Sequence, residues 1–304
     1  MKIDIIIPIY RPGRELISLV EKLEGQSVPV GRIILMNTGK EFYDEFGVDM
    51  EERFPNVRVY HITKNEFDHG ETRRRGVQYS DADIFVCMTQ DAVPADRFLV
   101  ERLSGALGEN VAAAYARQLP GKDSSEFERI SRHFNYPEES RVKTRADLEE
   151  MGIKTFFCSN VCAAYRRNIY DKLGGFVRHT IFNEDMIYAA GAVKAGYAIA
   201  YAADAQVVHS HHYTNLKQLR RNFDLGVSQA EHPEVFSLAG SEAEGKKLVK
   251  EAWRFLKKEK HLYRFPGFCV QCAFKYAGYL LGKHYRSLPR SLVLRITDNR
   301  EYWK

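Results

Sequence analysis

The run Lys2–Ile9 is almost continuous isoleucine and valine-like in character, with only Asp4 and Pro8 interrupting it. Such a run reads as a strand buried on both faces of a parallel sheet. A strand of that kind has to be covered by helices on both sides, so it commits the chain to an α/β architecture. Pro12 and Gly13 break the run, and Glu15–Leu23 then places Leu16, Leu19, Val20 and Leu23 at helical spacing. The alternation continues. Strands are expected over Arg32–Met36, Asn56–Ile62, Asp83–Met88 and Val111–Ala116, with helices over Thr72–Tyr79 and Phe98–Leu107. The implied sheet is mostly parallel with helices on both faces.

Residues 118–152 are polar and irregular, marked by Pro120, Gly121, Pro137 and Gly152, and read as a surface excursion with a short helix near Glu126–Phe134. Order resumes at Phe156–Tyr165. A helix over Asp185–Lys194 ends at Gly196, and Ala205–His209 is the last strand expected. Beyond it the pattern is helical, over Leu216–Ser228, Glu242–His261 and Phe268–Lys283. The division expected is therefore an α/β domain over 1–214 and a helical extension over 215–304.

No run of about 18 apolar residues exists, so no membrane span is expected. The N-terminus lacks the pattern of a signal peptide, and a cytoplasmic location is expected. The net charge of +5 is mild and mixed in sign; it suits an anionic small substrate or a membrane surface and does not argue for nucleic acid. Cys87, Cys158 and Cys162 sit in apolar runs and read as buried free thiols, and Cys269-x-x-Cys272 lies on an apolar helix with no second pair to make a zinc site.

A parallel sheet binds ligands beyond the carboxyl ends of its strands. Those ends carry Pro8-Ile9-Tyr10-Arg11, Met36-Asn37-Thr38-Gly39, Asn65 to Gly70, and Thr89-Gln90-Asp91. Asp91 follows an apolar strand and can hold Mg²⁺ or Mn²⁺, hard cations that prefer oxygen; its plain reading is a turn aspartate before Pro94. His69-Gly70-Glu71-Thr72-Arg73-Arg74 opens a helix whose N-terminus favours an anion, and Arg73 or Arg74 can pair with phosphate oxygens; otherwise the arginines form a solvated basic face. Glu184-Asp185 opens another helix, either to serve its macrodipole or to take a proton from a hydroxyl. His209-Ser210-His211-His212 has no cysteine partner for zinc, but one histidine can complete a site with Asp91.

Together these segments resemble glycosyltransferase family 2, the inverting enzymes of GT-A (Rossmann-like) fold. The similarity runs from Ile5 to about His212: Ile5–Arg11 resembles the opening strand, His69-Gly70…Arg73-Arg74…Gly76 an H-G-x-x-R-N-x-G segment, Thr89-Gln90-Asp91 a D-x-D, Asn183-Glu184-Asp185 an E-D motif, and His209 a late metal-binding histidine. Thr89 replaces the first aspartate of D-x-D, and Asn37-Thr38 replaces an acidic pair. The Q-x-x-R-W motif of processive synthases is present only as the loose echo Gln218–Phe223, so single addition is implied. Phe67–Gly70, Thr89–Ala92, Phe157–Asn160 and Phe182–Asp185 narrow the resemblance to the bacterial rhamnosyltransferase-like branch, which uses dTDP-L-rhamnose for cell-surface polysaccharides.

The resemblance implies a single in-line displacement. Asp185 is the base, and Glu184 orients the site or binds the acceptor. Pro8, Tyr10, Arg11, Asn37, Asn65, His69, Gly70, Arg73, Arg74, Gln90 and Asp91 bind the donor, a dTDP- or UDP-sugar. Ser159 and Asn160 meet the sugar or acceptor, and Asp91 and His209 hold a divalent cation, Mg²⁺ or Mn²⁺. The acceptor implied is a glycan or a lipid-linked glycan. The basic and apolar C-terminal helices then read either as a peripheral contact with the inner face of the membrane, or as a packed subdomain or homodimer contact. The competing classes are a non-catalytic nucleotide- or glycan-binding protein on the same scaffold, and a nucleotidyltransferase, whose phosphate loop Tyr10–Arg14 would imitate poorly.

Overall fold

The structure is a computed structural model that describes residues 1–211, 213–237 and 242–304. Its strands are β1 (Ile3–Tyr10), β2 (Ile33–Thr38), β3 (Val57–Ile62), β4 (Ile84–Met88), β5 (Val93–Pro94), β6 (Val111–Leu119), β7 (Arg141–Lys143), β8 (Cys162–Arg166) and β9 (Ala198–Val208). They form one sheet in the order β3-β2-β1-β4-β8-β6-β9-β5, with β7 paired to β9. The run β3-β2-β1-β4 is parallel, as is β6 with β9. β8 enters antiparallel between β4 and β6, and β5 and β7 pair antiparallel with β9.

The isoleucine run explains why β1 is central. Ile3, Ile5, Ile7 and Ile9 face one side and pack in a cluster with Leu16, Leu19, Val20 and Leu23 from the helix Arg14–Glu24. Each such side chain withdrawn from water contributes roughly 1.5–3 kcal/mol. Ile6 faces the other side, where the helix His69–Gln78 comes so close that a Cβ on Gly76 would stand 2.5 Å from Ile6 Cγ2. Asp4 breaks the apolar run for a reason: it accepts from the Arg32 amide at 2.7 Å and from Ser80 Oγ at 2.7 Å, tying β1 to the entry of β2 and to the turn before β4.

Two elements differ from the sequence expectation. β9 begins at Ala198, seven residues before the Ala205 expected. Its first half is Ala-Ile-Ala-Tyr-Ala-Ala, and alanine is a poor strand former in isolation, so burial between β6 and β7 decides its state. Conversely, the ordered stretch expected from Phe156 is a 3-10 turn over Gly152–Phe156, and the strand starts only at Cys162. The polar pair Ser159-Asn160 leaves the sheet between them.

The chain separates into two compact units, Met1–Leu119 with Pro137–His179 and Glu184–His209, and Pro120–Tyr136 with Thr180–Asn183 and Ser210–Lys304. The second unit thus gathers parts of the excursion with the helices that follow residue 214. The reason is apolar burial: Ile130 of the helix Glu126–Asn135 packs with Ala252, Leu256 and Phe268. In the same unit the helices Asn215–Glu231 and Phe265–Lys283 approach backbone to backbone. A Cβ on Gly278 would stand 2.1 Å from the Leu219 carbonyl, and one on Gly282 would stand 2.1 Å from the Phe223 carbonyl. Cys87, Cys158 and Cys162 are free and buried; Cys269 and Cys272 are also free.

Candidate active site

The carboxyl ends of β1, β2, β4 and β6 all carry polar side chains that the fold puts to use. At β1 and β4, Gln90 Nε2 donates to the Tyr10 carbonyl at 3.0 Å, and the Tyr10 amide donates to Gln90 Oε1 at 2.9 Å. Gln90 therefore binds the first strand's end, not a free ligand position. Tyr10 is left exposed edge-on to Phe42, and Arg11, with φ of +49°, holds its guanidinium 4.5 Å over the Phe42 ring. Lys64 stands 4.6 Å over the same ring. Pro8 is half-buried beneath this rim, and Asn65 is exposed in the turn after β3. At β2 the buried Asn37 donates to the Gly39 carbonyl at 3.0 Å and lies 2.9 Å from His61 Nδ1, while its own Oδ1 is buried without a partner.

The helix His69–Gln78 is built differently from the anion site expected of it. Asp68 caps it, accepting from the Gly70 amide at 2.8 Å and the Glu71 amide at 2.9 Å. The glycine at 70 is required by its neighbour, since a Cβ there would stand 1.9 Å from the Val177 carbonyl. Arg74 Nη1 donates to the Gly174 carbonyl and, at 3.2 Å, to the Phe176 carbonyl. Arg73 is buried; its Nη1 donates to the His69 carbonyl at 3.0 Å and meets Glu184 Oε1 at 3.2 Å, both side chains being 6% exposed. Both arginines thus have protein partners in place of the phosphate oxygens expected. No local pattern announces this, because the carboxylate that pairs with Arg73 lies far along the chain.

That carboxylate belongs to the helix Glu184–Lys194, which Asn183 enters with φ of +65°. Asn160 binds both members of the acidic pair: its side-chain Nδ2 donates to Glu184 Oε1 at 2.9 Å and its amide donates to Asp185 Oδ2 at 2.8 Å. Tyr165, a residue the sequence reading missed, fixes Asn160 by donating to its Oδ1 at 2.7 Å. Asn160 is 2% exposed, so the structure uses it to orient the carboxylates, where sugar contact was expected. The two acids then diverge. Burial pushes Glu184 up, but Arg73, His69 and the Asn160 bond outweigh it and hold the carboxyl below its ordinary value. Burial pushes Asp185 up to about 7, with the Glu184 charge adding to it and the Asn160 and Met186 amides opposing. Asp185 remains half-buried, within reach of solvent.

A second relay runs from Ser159. Gln118 Nε2 donates to Ser159 Oγ at 2.9 Å, and Gln118 Oε1 faces His209 Nδ1 at 3.0 Å. With Nδ1 donating to Gln118, a neutral ring turns its Nε2 lone pair toward Asp91. His209 Nε2 lies 3.4 Å from Asp91 Oδ1. Neighbouring ligands on an octahedral ion with bonds of ~2.1 Å sit about 3 Å apart, so Asp91 and His209 are spaced as two of them would be. One carboxylate with an imidazole suits a borderline divalent cation. Gln118 was not anticipated, although it stands at a strand's carboxyl end like the others. Thr89 is in the place of a first D-x-D aspartate, and its buried Oγ1 has no partner. His212 lies outside the described residues.

A family model described as Glycosyl transferase family 2 matches residues 4–174. Over all of this chain and 96% of its own length, the O-antigen chain rhamnosyltransferase RfbN of Salmonella typhimurium is 38% identical. The O-antigen chain rhamnosyltransferase WbaN of Salmonella anatum is 40% identical over 80% of this chain and 78% of its own length. Two solved structures share the fold. One is the mannosyltransferase PcManGT of Pyrobaculum calidifontis, in complex with GDP-Man and Mn²⁺, with a TM-score of 0.56 and 15% identity over 99% of this chain and 85% of that one. The other is S. aureus TarS 1–349 in complex with UDP-GlcNAc, with a TM-score of 0.54 and 13% identity over 94% of this chain and 92% of that one.

The buried ion pair sets a stability expectation. In Arg73→Met, Glu184 is left in the interior without its cation, which costs ~3–5 kcal/mol. Thermal unfolding of the variant should show a Tm clearly below that of the parent, and an unchanged Tm would show that Glu184 is not held by Arg73.

Proposed function

The chain belongs to glycosyl transferase family 2, and from that premise we propose that it is a rhamnosyltransferase of O-antigen type, moving L-rhamnose from dTDP-L-rhamnose to a hydroxyl of a lipid-linked glycan with inversion. The rhamnose reading leans on the names of the relatives that match at 38% and 40% identity. The observation that carries the mechanism is the split between the two acids: Glu184 kept charged by Arg73, and Asp185 raised to about 7 by burial and by Glu184. A carboxylate with that affinity for a proton is suited to general-base work near neutral pH.

In this reading Asp185 removes the acceptor's hydroxyl proton as that oxygen attacks the anomeric carbon. The bond to the diphosphate oxygen breaks on the opposite face, and the electron pair leaves with the nucleoside diphosphate. Asn160 keeps both carboxylates in place. Asp91 and His209 would hold a divalent cation, Mn²⁺ or Mg²⁺, which neutralises the leaving diphosphate when bound. Tyr10 and Arg11 at the rim, with the unpartnered Oδ1 of Asn37, are the proposed contacts for the nucleoside. His69 and Ser159 support the site through Arg73 and Gln118.

The second unit supports a membrane-side location. Among the described residues no helix is long and apolar enough to cross a bilayer. Yet Tyr263, Val270, Phe274 and Tyr276 are exposed, at 71%, 49%, 36% and 50%, and Lys257, Lys258 and Arg264 of the same unit are exposed too. Exposed apolar and basic side chains in one unit suit an anionic lipid interface.

Three measurements test these readings. Asp185→Asn should lower kcat by ~10²–10⁴ while donor binding survives, and the parent's rate should climb with pH to a plateau above about 7; near-normal turnover in the variant would remove Asp185 as the base. Nucleoside diphosphate release should be fastest from dTDP-L-rhamnose among dTDP-, UDP- and GDP-sugars and should stop with EDTA. A uridine or guanosine preference rejects the rhamnose donor, and insensitivity to EDTA rejects the cation. The protein should float with vesicles containing anionic lipid more than with neutral ones, whereas equal partitioning removes the membrane contact.

A further inference from the structure

The short strand β7 turns its side chains against their polarity. Val142 is 55% exposed, while its neighbour Lys143 is 1% exposed and among the largest fully buried side chains. Lysine is almost never fully buried unless its amine is paired, so the interior has a use for this one. Lys143 Nζ lies 3.2 Å from Tyr115 Oη and donates to the Lys154 carbonyl at 3.0 Å and to the Phe157 carbonyl. It also stands 4.8 Å over the Tyr115 ring, which meets Phe157 edge-on with centroids 5.5 Å apart. Both carbonyls lie at the end of the 3-10 turn Gly152–Phe156, where a helix runs out of amides to satisfy them. Burial pushes the Lys143 amine down to about 7, against the pull of Cys158 and Asp147 and with Arg141 and Lys154 adding to it. The contacts survive that titration. The ammonium donates to all these oxygens, and the neutral amine donates to the carbonyls and accepts the Tyr115 hydroxyl proton.

Just beyond Phe157 the chain carries the residues that arrange the site. Ser159 accepts from Gln118, and Asn160 donates to Asp185 from its amide and to Glu184 from its side chain. The far end of this segment is fastened to the sheet. The Cys162 amide donates to the Ser159 carbonyl at 3.1 Å, and the Thr89 amide donates to the Val161 carbonyl at 3.2 Å. The near end is fastened by Lys143. Asn160 is three residues after Phe157, so little chain separates the amine's hold from the bond to Asp185.

We infer that Lys143 is a positioning residue for the transfer reaction: by holding the turn at Lys154 and Phe157 it fixes where Ser159 and Asn160 stand, and through the Asn160 amide it keeps Asp185 in place. This rests on the reading of Asp185 as the base, so its test needs a readout that does not pass through turnover.

In the full chain, Lys143→Met removes the amine and keeps much of the stem's bulk. The Asn160 amide lowers the proton affinity of Asp185, so loosening it should move the titration of the Asp185 carboxyl to higher pH. NMR of carboxyl-labelled aspartate reads that titration, with Asp185→Asn assigning the signal. In the same variant kcat should fall ~10–10²-fold, and its rise with pH should be displaced in the same direction. Tyr115→Phe, which removes one oxygen and leaves the ring, should displace the titration the same way by less. An Asp185 titration and a kcat equal to the parent's in Lys143→Met overturn the proposal, even where its Tm falls, because the amine then serves stability alone. If Lys143→Met does not fold, Tyr115→Phe decides on the same titration: a shift to higher pH supports the proposal and an unmoved carboxyl overturns it. If Asp185→Asn proves active while the carboxyl still moves in Lys143→Met, the base assignment fails and the hold of Lys143 on Asp185 stands.

Discussion

Arg73 and Glu184 meet at 3.2 Å with almost no solvent around either, and much of the first unit's polar chemistry is arranged about that contact. Withdrawing two charges from water is costly, and attraction between them offsets the cost only when the remaining hydrogen-bonding capacity is met. Here the His69 carbonyl meets the guanidinium and the Asn160 amide meets the carboxylate. Tyr165 then fixes Asn160. The pair does more than hold two elements together. A charge locked on Glu184 is the neighbour against which Asp185 must ionise, so an ion pair that never touches substrate helps set the proton affinity of the residue beside it.

The same division of labour recurs around His209. Gln118 decides which ring nitrogen carries the proton, and Ser159 decides which way Gln118 points. In both networks a residue at the end of a strand or in a loop of the central sheet positions another, and the half-buried Asp185 and the exposed Asp91 are the members nearest solvent. Ser159 and Asn160 are adjacent in sequence and serve one network each. The turn between the 3-10 helix Gly152–Phe156 and β8 thus couples the acidic pair to the histidine.

The fold was legible because its signals are local. Isoleucine at Ile5, Ile6 and Ile7 marks β1 within a few residues, and Leu16, Leu19, Val20 and Leu23 mark their helix. The alanine-rich start of β9 was not legible, since burial by neighbouring strands made it a strand. Among the site residues, Asp91, Glu184, Asp185 and His209 could be picked out by their places at element ends. Their supports could not, for a physical reason: Arg73 finds Glu184, and Gln118 finds His209, across long stretches of chain. A basic segment at a helix start reads the same whether it faces phosphate or a buried carboxylate. At Gly70 the backbone makes room for the Val177 carbonyl, a neighbour that no local pattern reveals.

The cluster that buries Ile130 has a consequence in time as well as in space. The helix Glu126–Asn135 is made well before Ala252, Leu256 and Phe268, which pack on its Ile130. Through more than a hundred residues of synthesis that apolar face has no native partner. Domains generally fold as their chain is completed, so the second unit closes only after Phe268 has been made, and a nascent chain stalled after residue 214 carries an uncovered hydrophobic helix that chaperones and proteases can recognise.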